Sequence, residues 1–268
     1  MTEAHTRAPT RYKHTPLDFA KKQIRLIRLL SQSDSTALEC EISIFDADAP
    51  PEYYALSYTW DDEHSPKQAL SVLGDNLEIG EAMHNFLQSW RRRAEGWKWL
   101  WCDQLCIDQG DNLEKGHQIP LMASIYSRCY CVIVWFSLHF STIEELLDHR
   151  YFTRLWIIQE ILLAPQVISL CGDTEICWSD LYAHCVRLPE GEYNESSEKT
   201  NRAATTALFF TRKSEFESNK TESFSRLFIM YGRKECRDPR DKVYGLLSLI
   251  DERHRPVVDY SKPALEVF

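Results

Sequence analysis

The chain has 268 residues, 44% of them hydrophobic and 12% aromatic, with a formal net charge of −9. That length suits one large domain able to bury a sizeable core. The acidic residues are spread along the chain, which argues against a nucleic-acid polymer or an anionic membrane surface as partner, because counterion release needs a basic face.

The sequence has no apolar run of the ~20 residues that a spanning helix needs, so no membrane segment is expected. The polar start MTEAHTRAPTRYKHTP lacks the apolar centre of a signal peptide. Nine cysteines are present, and none of the pairs has disulfide-framework or zinc-site spacing. Most sit beside Trp, Leu, Val or Ile and read as small buried hydrophobes carrying reduced thiols. A cytoplasmic location is the expectation, with no metal or cofactor.

Residues 1–16 read as a flexible arm. Two alternating segments, 24–30 and 38–45, read as a hairpin of strands. YALSY at 54–58 is a short apolar strand, followed by the polar loop TWDDEHSPKQ. Segments 69–73 and 77–79 flank Gly74-Asp75-Asn76, a turn signal between strands. Residues 81–93 form a helix with Met83, Phe86, Leu87 and Trp90 on one face. Its basic end, Arg91-Arg92-Arg93, suits a helix C-terminus. Segment 97–102 is the next strand and runs into a loop carrying Asp103, Asp108 and Asp111. Pro120 fits the first turn of a second helix, where its missing N–H costs nothing. CVIVWFS at 131–137 reads as a central strand covered on both faces. Ser141 and Glu144 read as a capping box for a helix over 142–149. A continuous helix is expected over 152–163. Segments 167–170 and 175–178 flank Cys171-Gly172-Asp173 as a small hairpin. Residues 190–223 read as a surface insertion with one helix near 203–213, and 224–231 and 241–250 as two further helices.

Strands alternating with helices through 54–163 predict an α/β fold: a mostly parallel sheet with helices on both faces, an added N-terminal β-hairpin and C-terminal helices. Ligands of such sheets bind outside the carboxyl ends of the strands. Three loops leave those ends, 59–66, 103–111 and 138–142, and the first two are rich in carboxylates.

Four stretches in this order resemble the fungal heterokaryon-incompatibility (HET) domain. They are EYYALSYTWDDE (52–63), WLWCDQLCIDQGDNLEKGHQIPLMASIYSRCYCVIVWFS (99–137), RYFTRLWIIQEILLAPQVISLCG (150–172) and RDPRDKVYGLLSLI (237–250). The sequence departs from the family pattern at Asp61, where glycine is usual, at Phe136-Ser137 for Leu-Gly, and at Asp108 for Asn. The resemblance implies a single domain over 17–268, with a TIR-like, flavodoxin-like core at about 52–165 and a family-specific part over 166–268. HET domains are in turn similar to TIR domains. Ala55-Leu56-Ser57-Tyr58 stands where TIR domains have their first strand. Trp156 and Glu160 fall at the spacing of the TIR motif Trp-Cys-x-x-Glu, with Ile157 in place of Cys.

In TIR enzymes NAD cleavage depends on that Glu, so the resemblance makes Glu160 the candidate catalytic residue and NAD the candidate substrate. On a helix over 152–163, Trp156 and Glu160 share a face with Phe152, while Leu155, Ile158 and Leu162 face the core. Arg154 lies well round that helix, which predicts no pair between it and Glu160. A carboxylate beside an indole suits a cationic, planar nicotinamide-ribose unit. Breaking the nicotinamide–ribose bond passes through an oxocarbenium-like state, and nicotinamide leaves without protonation, so one carboxylate can suffice.

Tyr58 and Trp60 are candidates to stack on a base or ring, although strand-end aromatics also serve as core. Asp61, Asp62 and Asp103 could meet ribose hydroxyls or stay solvated. Asp108 and Gln109 belong to the family motif, and Asp108 equally suits a turn. Glu160 itself equally suits a structural carboxylate paired with an Arg from another segment. Asp241 reads as a helix N-terminal acid and Arg240 as an ion-pair partner. Three functions stand open: an NAD glycohydrolase active on assembly, a non-catalytic homo-oligomeric death-signalling module, and a HET-like fold serving an unrelated ligand. The resemblance implies programmed cell death in fungal innate immunity, with an upstream NLR-like or incompatibility protein as partner.

Overall fold

The computed structural model describes residues 10–30, 37–137, 140–178, 180–181, 183 and 222–267. The expected helix near 203–213, and nearly all of the expected insertion over 190–223, lie outside these residues.

Nine strands form one sheet in the order β5-β4-β2-β1-β6-β3-β7-β8-β9. The expected hairpin is β1 (Gln23–Leu29) and β2 (Glu39–Asp46), paired antiparallel. β3 (Tyr53–Tyr58), β6 (Trp99–Trp101), β7 (Cys131–Phe136) and β8 (Val167–Cys171) are the parallel centre. Their spatial order is second, first, third, fourth, the order of doubly wound flavodoxin-type sheets, with the switch point between β3 and β7. The α/β class is as expected, but the sheet as a whole is mixed. β4 (Lys67–Val72) and β5 (Asp75–Gly80) form one antiparallel flank, and β9 (Thr174–Cys177) closes the other antiparallel to β8.

β3 and β7 are buried at every position, as an apolar strand covered on both faces must be. Side chains alternate across the sheet. Tyr54 and Trp135 meet Trp90 and Phe86 of α1 (Glu81–Arg92) on one face. On the other, Tyr53 donates to Ile125 O, and Ser57 meets α6 (Ile157–Leu162). Ile125 belongs to α4 (Met122–Arg128), so helices cover both faces.

Several local expectations shift. The β4–β5 turn is Leu73-Gly74, with φ of 50° and 93°, and Asp75 and Asn76 already lie in β5. Two positive φ values are what a tight hairpin turn demands. Pro120 sits in a 3₁₀ turn, Ile119–Leu121, that joins α3 (Asn112–Gln118) to α4. The cap of α5 (Ile143–Leu147) is Thr142, not Ser141. The Thr142 hydroxyl accepts from Glu145 N, and the Glu145 carboxylate accepts from Ser141 N. Residues 10–16 are tied down: Arg11 bridges to Asn76, His14 Nε2 lies 2.8 Å from Leu105 O, and Thr15 O accepts from Arg25. Arg92 and Arg93 pair with Asp173 and Glu175 of the β8–β9 hairpin.

The expected helix over 152–163 breaks into a 3₁₀ turn, Arg150–Thr153, and the short α6. Arg154 between them is extended, with φ −68° and ψ 140°. The cause is a partner 80 residues away, since Glu235 N donates to Thr153 O and accepts at its carbonyl from Leu155 N. α7 (Phe224–Tyr231) forms as expected. The helix expected over 241–250 is only α8 (Asp241–Tyr244), followed by a 3₁₀ turn at Leu247–Leu249. The described cysteines are free thiols, and six of these eight are buried.

Candidate functional site

β3 reads YYALSY, and Ser57 is its inward-facing polar residue, 1% exposed. A hydroxyl buried this deeply needs a partner. Ser57 Oγ donates to Glu160 Oε2, and Tyr151 OH lies 2.6 Å from the same Oγ. With the Ser57 hydrogen spent on Glu160, Tyr151 is the donor of that second bond. Burial, and then the charge of Glu160, raise the Tyr151 pKa and keep the phenol protonated. The chain of donors therefore runs Tyr151, Ser57, Glu160.

Glu160 is 3% exposed, at a position where α6 is buried on all sides. Burial pushes its carboxyl up to about 7 against the pull of Arg154 and the Ser57 hydrogen bond, and Asp103 adds to the rise. Arg154 stays charged. Burial opposes its charge, but Glu160 and then Asp103 outweigh that and raise its pKa. No ion pair joins Arg154 to Glu160 among the described residues, as expected, but the extended chain at Arg154 still places its guanidinium within the field of Glu160. Arg154 Nη1 also donates to Tyr58 O at the end of β3.

The next strand end contributes Asp103, the first residue of α2 (Asp103–Cys106). Its Oδ1 accepts from Gln104 N at 2.8 Å and from Trp60 Nε1 at 3.2 Å. Burial raises the Asp103 pKa, and Arg154 then pulls against that rise. Tyr58 OH donates to Gln104 Oε1 at 2.6 Å, and Gln109 Nε2 donates to Asp103 O at 2.8 Å. From the end of β7, Phe136 packs on Tyr151, Phe152 and His149. Glu160, Tyr58, Trp60, Asp103 and Gln109 thus gather at the carboxyl ends of β3 and β6, beside the switch point.

Three predicted residues have other work. Trp156 is tied to the C-terminal part, its Nε1 donating to Asp241 Oδ2 at 3.0 Å. Asp108 makes a turn, its Oδ1 accepting from Gly110 N at 2.9 Å. Asp61 caps α1 from a distance, with Oδ1 and Oδ2 at 3.2 and 3.1 Å from Ala82 N. Gly80, the residue before α1, makes room for it. A Cβ there would meet Asp61 Oδ2 at 2.1 Å. Gly80→Ala should therefore displace the cap and cost about 1 kcal/mol, and Asp61→Ala should cost the same. Urea denaturation of the double variant should show no further loss, and full additivity would disprove the shared cap.

Ser57, Tyr151, Arg154 and Gln104 escaped the sequence reading as site residues. Ser57 alone carried a local signal, a hydroxyl in an otherwise apolar strand. A recess of about 480 Å³ opens elsewhere, lined by Phe224, Val243, Leu247, Ile250 and Val267 among others, and includes no residue of the Glu160 cluster.

Residues 53–143 match the family model described as heterokaryon incompatibility protein (HET). Over this span the chain is similar to HET-domain proteins. It is 34% identical over 138 residues to heterokaryon incompatibility protein 6, OR allele, of Neurospora crassa, covering 46% of this chain and 20% of that protein. The chain thus spans about a fifth of the length of this relative. No solved structure matches it. The family span holds β3, β6, β7, Ser57, Trp60 and Asp103, whereas Tyr151, Arg154 and Glu160 follow it in the chain. No helix among the described residues is long and apolar enough to cross a membrane.

Proposed function

We propose that this chain is the HET-domain effector part of a heterokaryon-incompatibility protein, and that Glu160 is the catalytic carboxylate of a TIR-like NAD glycohydrolase. One observation carries this reading. A buried carboxylate with a shifted pKa, bonded to Ser57, lies at the carboxyl end of the central parallel strands, where ligands of this sheet class bind.

Above pH 7 the ionised Glu160 orients the ribose hydroxyls and stabilises the positive charge that develops as the C1′–N bond breaks. Nicotinamide leaves with the bonding electron pair as a neutral molecule. Water adds to C1′ and releases a proton, giving ADP-ribose. Because Glu160 is 3% exposed, substrate reaches it only after the packing around it opens. Self-assembly supplies that opening.

The burial itself favours a second reading, a non-catalytic module that self-associates or binds an upstream incompatibility partner and transmits a death signal. Free nicotinamide released from NAD by artificially oligomerised protein separates the two. Catalysis by Glu160 predicts turnover that falls about 100-fold or more in Glu160→Ala. Equal turnover in both proteins removes Glu160 from the chemistry. Cell death that survives the substitution in vivo favours the module.

A further inference from the structure

The late motif RDPRDK has no part in the chemistry above, yet the segment that contains it runs alongside the chain leading into α6. Lys234 Nζ donates to Phe152 O at 2.6 Å. Glu235 N donates to Thr153 O at 2.7 Å, Leu155 N donates to Glu235 O at 2.8 Å, and Thr153 Oγ1 donates to Glu235 Oε2 at 2.8 Å. These contacts form a parallel bridge centred on Arg154 and Glu235. One residue further on, Trp156 Nε1 donates to Asp241 Oδ2, whose other oxygen accepts from Tyr260 OH at 2.6 Å. Gly245 lets Leu155 pack close to the end of α8, since a Cβ there would meet Leu155 Cδ2 at 3.3 Å.

Phe152, Thr153, Leu155 and Trp156 are each held by residues 234–241, and Arg154 sits at the centre of the held stretch. Its extended backbone sends the guanidinium to Tyr58 O and into the fields of Glu160 and Asp103. A continuous helix from 152 would have carried Arg154 round to another face. Resting on the reading of Glu160 as catalytic, we infer that residues 234–241 are a brace in which Lys234 and Asp241 are positioning residues that set Arg154 beside Glu160. The site is therefore built jointly by the strand ends within the family span and by a segment about 90 residues downstream of that span.

Five groups act on Glu160: Ser57 from β3, Tyr126 from α4, Asp103 from α2, Tyr151 from the 3₁₀ turn, and Arg154. Arg154 is the positive one, so its displacement should make Glu160 harder to ionise. The test is a pH titration of the whole chain labelled with ¹³C at glutamate carboxyls, with Glu160→Gln identifying the resonance. Arg154→Gln, Asp241→Asn and Lys234→Met should each raise the Glu160 midpoint by about one pH unit. An unmoved midpoint in Arg154→Gln, or in both brace variants while Arg154→Gln moves it, overturns the proposal. If Asp241→Asn fails to fold, Trp156→Phe removes only the indole N–H donor and is judged by the same criterion. The titration needs no turnover, so an inactive wild type would end the glycohydrolase reading and leave the brace to stand or fall separately.

Discussion

Replacing Glu114 by Gln is expected to cost about 3–5 kcal/mol of folding stability, measured by urea denaturation at pH 7. Arg25 and Glu114 are 1% and 3% exposed. The guanidinium meets the carboxylate twice, Nη1 to Oε1 at 2.5 Å and Nη2 to Oε2 at 2.9 Å. It also donates to Cys106 O and Thr15 O, while Glu114 Oε1 accepts from Asp108 N at 2.7 Å. This one pair thus joins β1, the N-terminal segment, the end of α2 and α3. Glutamine keeps the shape but leaves a buried guanidinium without its counter-charge, and that uncompensated charge is the origin of the loss. Arg25→Met with Glu114→Leu should recover part of the stability, because an apolar pair of similar volume has no charge to desolvate. Burial alone would raise the Glu114 pKa, but the Arg25 hydrogen bonds override it and leave it below its ordinary 4.5. The stabilisation is therefore complete above 4.5 and fades as pH falls through the lower folded value. Wild type and Glu114→Gln should converge in that acid window. A loss under 1 kcal/mol at pH 7 would mean that the pair holds nothing together.

Such pairs also mark where sequence reading succeeds and where it stops. The strands β1, β2, β3 and β7 and the helix α1 were legible because burial imposes a period on them. Alternation marked β1 and β2, an unbroken apolar run marked β7, and the stripe Met83, Phe86, Leu87, Trp90 marked α1. The carboxyl-edge location of Glu160 was legible from βα alternation together with the family resemblance. Its surroundings were not. Arg154 was assigned to a helix face because Leu155, Ile158 and Leu162 keep helical spacing. The competing hydrogen bonds come from Glu235, and no local pattern reports a partner so distant. Trp156 and Glu160 have the spacing of one helix face, yet their polar atoms point to Asp241 and Ser57, set by tertiary partners. Asp61 and Asp108 looked like ligand carboxylates because loop acids that cap or turn the backbone carry the same composition as those that bind. Arg25 and Glu114, 89 positions apart, gave no signal of any kind.

Glu160→Gln is expected to flatten a pH dependence of stability worth about 3 kcal/mol. In the folded chain burial raises this carboxyl from 4.5 to about 7. A group with a raised folded value favours the folded state fully below its unfolded pKa, and that advantage disappears as pH rises through the folded value. Wild type should therefore lose stability between pH 4.5 and 7 and level off above, and the glutamine variant should show no such limb. Ser57→Ala should act in the opposite sense. It deletes a hydrogen bond that favours the ionised form, so the limb should extend to higher pH. Thermal melts from pH 4 to 9 read all three proteins, and a wild-type curve without the limb would mean that Glu160 is already ionised at pH 5. Glutamine would fill the same space without that stability cost, which supports the proposed role of the ionised carboxylate. On the proposed glycohydrolase reading, the upper end of that limb and the midpoint of NAD cleavage should coincide, because the folded-state proton on Glu160 sets both.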